Sequence, residues 1–556
     1  LATTLGSGAM TNSVNEILDA ELLFVIGSNT TEAHPIIGNK MKQAVRNGTK
    51  LIVVDPRTTE LAAMADLHLP LRSGSDAALI NGMMHIILRE GWEDRAYIEA
   101  RTEGFEAVED LVKNYTPAVV SAITDIPEED LYEAAKLYAN HRKAGIFYTL
   151  GITEHTSGTS NVMNLANLAL ITGHVGIESA GINPLRGQNN VQGACDMGAL
   201  PDVYPGYQKV TDPASIARFS EGWGVPVSDK IGLRIPEMLD AAVAGDIKAM
   251  YVMGEDPVLT DPDANHVKKA FESMEFVVVQ EIFMSETAKF ADVILPAACY
   301  AEKDGTFTAS ERRVQRVRKA VNPPGQAKQD WEIIVAIAEK MGAKGFDFLN
   351  SEEVFEEMRS LTPQYGGMTY ERLEKEHGLQ WPCPTLTHPG TKYLHKGTFP
   401  RGKATMVPVE YKGPAEHVCD EYPILLITGR KLGHYNVTTR YSELLDSINP
   451  FEEAEINPRE AEALGLSEHD TIRVTSRRGS IVTRVQITDR VKPGSMFMTF
   501  HYRESPVNEL TQSAFDPITL TGEYKVSAVK IEKVEWKDKQ YEDEIHRFKR
   551  LEYLTE

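Results

Sequence analysis

A β-α-β pattern is written twice in this chain, and the two copies fix most of what it can fold into. In the first, the apolar run Leu22-Leu-Phe-Val-Ile26 ends at Gly27. A polar turn and a helical stretch around 35–47 follow, and Leu51-Ile-Val-Val54 ends in Asp55. In the second, Met250-Tyr-Val-Met253 ends at Gly254, a helix lies near 262–273, and Phe276-Val-Val-Val279 ends in Gln280-Glu281. Continuous apolar runs closing on a glycine turn mark buried parallel strands with crossover helices. Each copy then closes on Ala-Asp…Leu-Pro, at residues 65–70 and 291–296, 43 and 42 residues after its glycine. That agreement predicts a duplicated α/β lobe. Two such lobes hold two nucleotide-like ligands, or one ligand in the cleft between them. Neither copy contains G-x-G-x-x-G or a Walker loop, so a standard dinucleotide or ATP site is not expected.

Between the copies lies Gly181-Ile-Asn-Pro-Leu-Arg-Gly-Gln-Asn-Asn-Val-Gln-Gly-Ala-Cys-Asp-Met-Gly198. It is too polar for a core strand and too poor in helix formers for a helix, so an irregular backbone able to approach a ligand is expected. Asn183, Gln188, Asn189, Asn190 and Gln192 crowd one cation, Arg186. A guanidinium is a planar fork of donors suited to a carboxylate or phosphate. Cys195 is expected to be a buried inert thiol. Upstream, Tyr148-Thr-Leu-Gly151 leads through Glu154, His155 and several hydroxyls into a helix over 161–172. Those hydroxyls and N–H groups suit either a phosphate or an ordinary helix cap. His155 is read as a hydrogen-bonded structural residue.

Residues 299–420 are mixed. Arg312, Arg313, Arg316 and Arg318 read as a solvated face, helices are expected near 329–341 and 351–360, and prolines and glycines through 362–413 place a boundary at 415–420. From 422 to 534 short alternating runs (424–428, 471–476, 481–487 and 496–500) are joined by tight turns, with a helix at 458–464, which reads as a β-barrel. The last twenty residues read as a charged helix.

Bulk properties exclude several classes. Lys and Arg number 58 against 80 Asp and Glu, a net charge of −22, which disfavours a grip on nucleic acid. No apolar run approaches a membrane span. The four cysteines (195, 299, 383 and 419) form no C-x-x-C, so no zinc or iron–sulfur signature lies within the chain. Scattered thiols fit a reducing, cytoplasmic setting. The chain opens on Leu1 rather than Met, and a preceding segment is expected.

On Asn183–Gly198, Met253-Gly-Glu-Asp-Pro257, Gln280-Glu-Ile-Phe-Met284, Ala291-Asp-Val-Ile-Leu-Pro296 and Gly433-His-Tyr435, the chain resembles the catalytic alpha subunits of molybdenum or tungsten formate dehydrogenases. These belong to the bis-molybdopterin-guanine-dinucleotide oxidoreductases, the DMSO reductase family. The resemblance runs from Leu1 to about Lys533. It implies an α/β fold of two related, doubly wound, Rossmann-like lobes, a mixed α+β segment and a C-terminal barrel of double-psi type. Expected boundaries are 1–188 for the first lobe and 189–298 plus about 330–350 for the second. The connecting region takes 299–329 plus 351–418, and the barrel 419–556. The implied cofactor is a molybdenum or tungsten ion between two pterins, each bearing a guanine nucleotide. Gly27, Asn29, Asp55, Arg57, Gly74 and Asp76 match the motif for one nucleotide, and Asp256, Thr260, Gln280 and Asp292 the motif for the other. Leu150 and Glu154 approach a pterin, Gln188 neighbours the cofactor, and Arg430, His434 and Lys525 contact it from the barrel. Arg186 matches the residue that orients formate for oxidation to CO2. The resemblance also implies a [4Fe–4S] cluster and the metal's Cys or selenocysteine ligand in a region ahead of Leu1, so no metal ligand is expected among the residues present and the chain alone should be inactive. A partner iron–sulfur or diaphorase subunit would take the electrons. Two alternatives stand beside this: a sister oxidoreductase acting on nitrate, and an inactive cofactor-binding chain.

Overall fold

The computed structural model describes residues 1–534; the charged helix expected for the last twenty lies outside them. The first lobe is built on a five-stranded all-parallel sheet. Its strands, in spatial order, are Leu67–Leu69, Lys50–Val54, Leu22–Ile26, Ala144–Tyr148 and Gly181–Pro184. Alternate residues of one strand serve different cores. Leu22, Phe24 and Ile26 join a cluster with Ile80, Met83 and Leu168, whereas Leu23 and Val25 pack with Met41 and Leu61 on the other face. Burial on both faces is why the strand reads as an unbroken apolar run.

The second lobe repeats the arrangement with three strands, Val293–Pro296, Phe276–Glu281 and Ala249–Met253. The repetition extends to single hydrogen bonds. Gly27 N–H donates to Val54 C=O at 2.9 Å, and Gly254 N–H donates to Gln280 C=O at 2.9 Å. Asp66 accepts from Leu51 N–H at 2.9 Å, and Asp292 from Val277 N–H at 2.7 Å. Helices Ile235–Ala244 and Ala264–Glu272 cover one face of this sheet, while Tyr251 and Met253 remain exposed.

Between the second sheet and the tail lie the helices Asp330–Lys340 and Ser351–Leu361. The tail closes into a six-stranded barrel in the order Ile424–Gly429, Ser495–Thr499, Glu453–Ile456, Ser480–Ile487, Thr471–Thr475 and Ser527–Lys533. Leu426, Ile456, Ile472, Val474, Val485 and Met496 fill it.

Three local expectations are corrected. Gly181–Pro184 is a strand, because it pairs with Ala144–Tyr148 and Thr11 covers its free side, exchanging N–H and hydroxyl hydrogen bonds with Ile182. Val191–Asp196 is a short helix, entered through Asn190 in a left-handed conformation. Arg312 is no solvated cation. It is fully buried and donates to the carbonyls of Met10, Thr11, Trp381, Thr391 and Lys392. Arg316 lies 3.5 Å from the Tyr370 ring centroid.

Candidate cofactor site

In an open parallel sheet, loops diverge at the carboxyl end where the strand order reverses, and a crevice forms there. Here the reversal falls between Leu22–Ile26 and Ala144–Tyr148. Gly27 and Gly151 close it back to back: a Cβ on Gly27, whose φ is +55°, would sit 2.7 Å from the main chain of Gly151, and one on Gly151 would sit 2.6 Å from Gly27. Gly27 C=O accepts from both Gly151 N–H and the Thr149 hydroxyl. No side chain fits either position.

The barrel caps this crevice and encloses a cavity of ≈ 120 Å³. Gly27, Asn29, Asp55, Arg57, Gly74, Asp76 and Leu150 line it from the lobe, Arg430 and Lys525 from the barrel. Three nitrogens on its walls are buried without a hydrogen-bond partner: Asn29 Nδ2, His34 Nδ1 and Arg57 Nε. Burying a polar atom unpaired is costly, so three at one cavity fit a polar ligand: Asn29 Nδ2 and Arg57 Nε are donors, whereas His34, whose Nε2 donates to Arg186 C=O, offers Nδ1 as an acceptor. Arg57 is seated by Glu455, at 2.8 and 3.0 Å, and lies 3.3 Å from the Phe497 ring centroid, which ties lobe to barrel beside the cavity. Burial raises the carboxyls of Asp55 and Asp76. Burial opposes charge on His155, but the Glu523 carboxylate at 3.5 Å and Asp76 outweigh it and raise the imidazole.

A second cavity, of ≈ 300 Å³, lies at the carboxyl end of the second sheet. Glu154, Gln188, Asp256 and Thr260 line it. Leu150, Arg430 and Lys525 are common to both cavities, so the two are contiguous. Asp256 accepts from the N–H and hydroxyl of Thr287, at 2.8 and 2.7 Å. Asp261, in the wall, is pushed up to about 7 by burial and by Glu255 and Asp256. Lys525 Nζ meets Glu154 at 2.6 Å and donates to Thr428 C=O at 3.1 Å.

Three expected contacts lie elsewhere. Asp292 sits at the amino end of its sheet, across from the cavity, and binds Val277 N–H as Asp66 binds Leu51. Gln280 is fully buried and donates to Asp330 at 2.8 Å. His434 has both ring nitrogens engaged, by Asn449 C=O at 2.9 Å and Thr439 Oγ1 at 3.3 Å; it braces the loop that carries Arg430, Asn436 and Tyr441. Arg186 borders the junction rather than lining either cavity. Its C=O meets His34 Nε2 at 2.8 Å, Gln188 two residues on lines the second cavity, and its Nε donates to Gln192 Oε1 at 3.2 Å. Cys195 is half-buried, its Sγ 3.8 Å from Arg186 Nη1, and burial raises its thiol.

Several wall residues were missed from the sequence: His34, Thr149, Glu255, Asp261, Phe497, Phe500 and Tyr524. Only Glu255, directly after the Gly254 turn, carried a signal. Among the described residues no group of three His, Cys, Asp or Glu side chains could hold a metal ion, and no helix is long and apolar enough to cross a membrane.

Comparison with known proteins gives this geometry a family. Residues 2–340 match the molybdopterin oxidoreductase family, and residues 424–528, the barrel, match the molybdopterin dinucleotide binding domain. The chain belongs to the molybdopterin oxidoreductase family. It is 48% identical over 541 residues to a formate dehydrogenase alpha subunit of Methanocaldococcus jannaschii, covering 96% of this chain and 80% of that one. Formate dehydrogenase H of Escherichia coli is 43% identical over 542 residues, covering 96% and 76%. The solved structure of acetylene hydratase from Pelobacter acetylenicus superposes with a TM-score of 0.75 at 20% identity, over 96% of this chain and 80% of that one; it shares the fold. In this molybdopterin oxidoreductase, the two contiguous cavities, the three unpartnered nitrogens and the flanking cations fit a large anionic dinucleotide cofactor.

Proposed function

We propose that this chain is the cofactor-holding catalytic body of a formate dehydrogenase, oxidising formate to CO2 with release of two electrons and one proton. One nucleotide of a bis-molybdopterin guanine dinucleotide would lie in each cavity. Asn29, His34 and Arg57 would bind the first, and Asp256, Asp261 and Thr260 the second. A guanine presents N–H groups that carboxylates accept, which suits the acid-rich second cavity. Arg430 and Lys525 stand where both meet and would hold phosphate or pterin oxygens. When bound, the molybdenum or tungsten centre supplies the two-electron acceptor.

The observation that carries formate as substrate is Arg186. It is a cation at the junction of the cavities, with Nε committed to Gln192 and Nη2 hydrogen-bonded to no described residue. That arrangement leaves an edge of the guanidinium for a small carboxylate. Holding both formate oxygens fixes the direction of its single C–H bond, and neutralising the carboxylate lets the carbon lose hydrogen with its electron pair. The electrons would pass to an iron–sulfur or diaphorase partner in the cytoplasm.

The test is formate oxidation by holoenzyme with a viologen dye, alongside nitrate reduction. Arg186→Lys keeps the charge but loses the fork, and kcat/KM for formate should fall about 100-fold, the worth of about 3 kcal/mol. Near-normal formate turnover would remove Arg186 from the reaction, and nitrate turnover without formate turnover would replace the reading.

A further inference from the structure

Behind Arg186 lies a buried polar cluster outside both cavities. Asp196 is fully buried, at the end of the short helix Val191–Asp196. Its Oδ1 accepts from Gln192 Nε2 at 2.8 Å and Tyr207 OH at 2.9 Å; its Oδ2 accepts from Tyr365 OH at 2.5 Å and Trp381 Nε1 at 2.7 Å. The four donors come from four separate segments, so the carboxylate has one available orientation. Gln192 is also buried, and its Nε2 is held a second time, by Tyr207 OH at 2.8 Å. A primary amide has one donating and one accepting end. With the donating end consumed by Asp196 and Tyr207, the oxygen must face the other way, where Arg186 Nε meets it at 3.2 Å.

We propose that Asp196 is a positioning residue for the reaction: by fixing which end of the Gln192 amide faces Arg186, it sets the angle of the guanidinium that receives the substrate's carboxylate. This rests on the formate reading above for the substrate, and on the hydrogen bonds alone for the geometry.

The cluster makes an asymmetric test possible. Trp381 Nε1 can only donate. In Asp196→Asn the new amide must therefore turn its oxygen to Trp381 and its NH2 to Gln192. Gln192 then flips to accept, and presents its own NH2 to Arg186 Nε, donor against donor. Gln192→Glu repairs this, because a carboxylate accepts on both sides, from Asn at 196 and from Arg186. Alone, Gln192→Glu sets two carboxylates against each other at the 2.8 Å contact and should be harmful.

The experiment measures kcat/KM for formate in the wild-type holoenzyme, both single variants and the double variant. Asp196→Asn should lower it at least about tenfold, and adding Gln192→Glu should bring it back to within about threefold. Generic loosening around position 196 would not be rescued by a charge placed at 192. An Asp196→Asn enzyme with unchanged kcat/KM, or a double variant no better than the single, overturns the proposal. Should Asp196→Asn not accumulate folded, Gln192→Met, which removes the acceptor for Arg186 and leaves Asp196 its donors Tyr207, Tyr365 and Trp381, should give a comparable loss, and unchanged turnover there overturns it equally. If the wild-type holoenzyme turns over no formate, that reading fails on its own. Crystal structures then decide this one: Arg186 Nε should leave residue 192 in Asp196→Asn and return to it in the double variant, and an unmoved Arg186 refutes it.

Discussion

Lys525 of the barrel and Glu154 of the first lobe meet at 2.6 Å across the wall shared by the two cavities, and both side chains are nearly shielded from solvent. Removing one partner strands the other charge. Lys525→Met should destabilise the cofactor-free chain by about 3 kcal/mol, and Glu154→Gln added to it should recover most of that. Urea unfolding of the three proteins checks this; equal midpoints for Lys525→Met and wild type would show that the pair contributes nothing.

Arg57 couples the first lobe to the barrel through two hydrogen bonds to Glu455 and contact with the Phe497 ring. Arg57→Lys retains charge but loses fork and stacking. A loss of about 1–2 kcal/mol is expected, together with reduced GMP released from holoenzyme by acid hydrolysis. Wild-type GMP content, about two per metal, would remove Arg57 from the cofactor site.

Arg312 holds five main-chain carbonyls from the segments at 10–11, 381 and 391–392. Arg312→Met leaves those acceptors buried and unpaired, at a cost of about 4 kcal/mol. A melting temperature within two degrees or so of wild type would contradict that.

Asp261 keeps its proton in the folded chain up to about 7, against 3.8 ordinarily. Between those values the unfolded chain has already released the proton, so this group costs stability as pH rises from about 4 to 7 and adds no further change above. Asp261→Asn should gain stability relative to wild type at pH 7.5 and little at pH 4. A difference independent of pH would show that Asp261 titrates normally.

Much of this was legible where burial left a simple trace. The first-lobe strands are apolar without interruption because both faces are covered, and Asp55 follows directly from the end of the Lys50–Val54 strand. Polar residues that serve as interior partners misled. Glu453–Ile456 does not read as a strand, because the acids Glu452 and Glu455 are buried acceptors, for Thr499 and Arg57, rather than solvated ends. Arg312 read as surface for the same reason. Asp292 matches the nucleotide motif of the resembled family, but it also repeats Asp66, and the duty the two share is to hold a main-chain N–H. The unpartnered nitrogen of His34 carried no signal, whereas His155 is hydrogen-bonded as expected, to Gly151 C=O and beside Glu523 of the tail.

Gly27 and Gly151 stand back to back at the mouth of the first cavity, each occupying the space a side chain on the other would need. In any mutational search the two positions behave as a single site. No order of single replacements leads away from the glycine pair without first forcing two main chains apart, so this edge of the cofactor pocket is closed to gradual change while the walls around it stay free to vary.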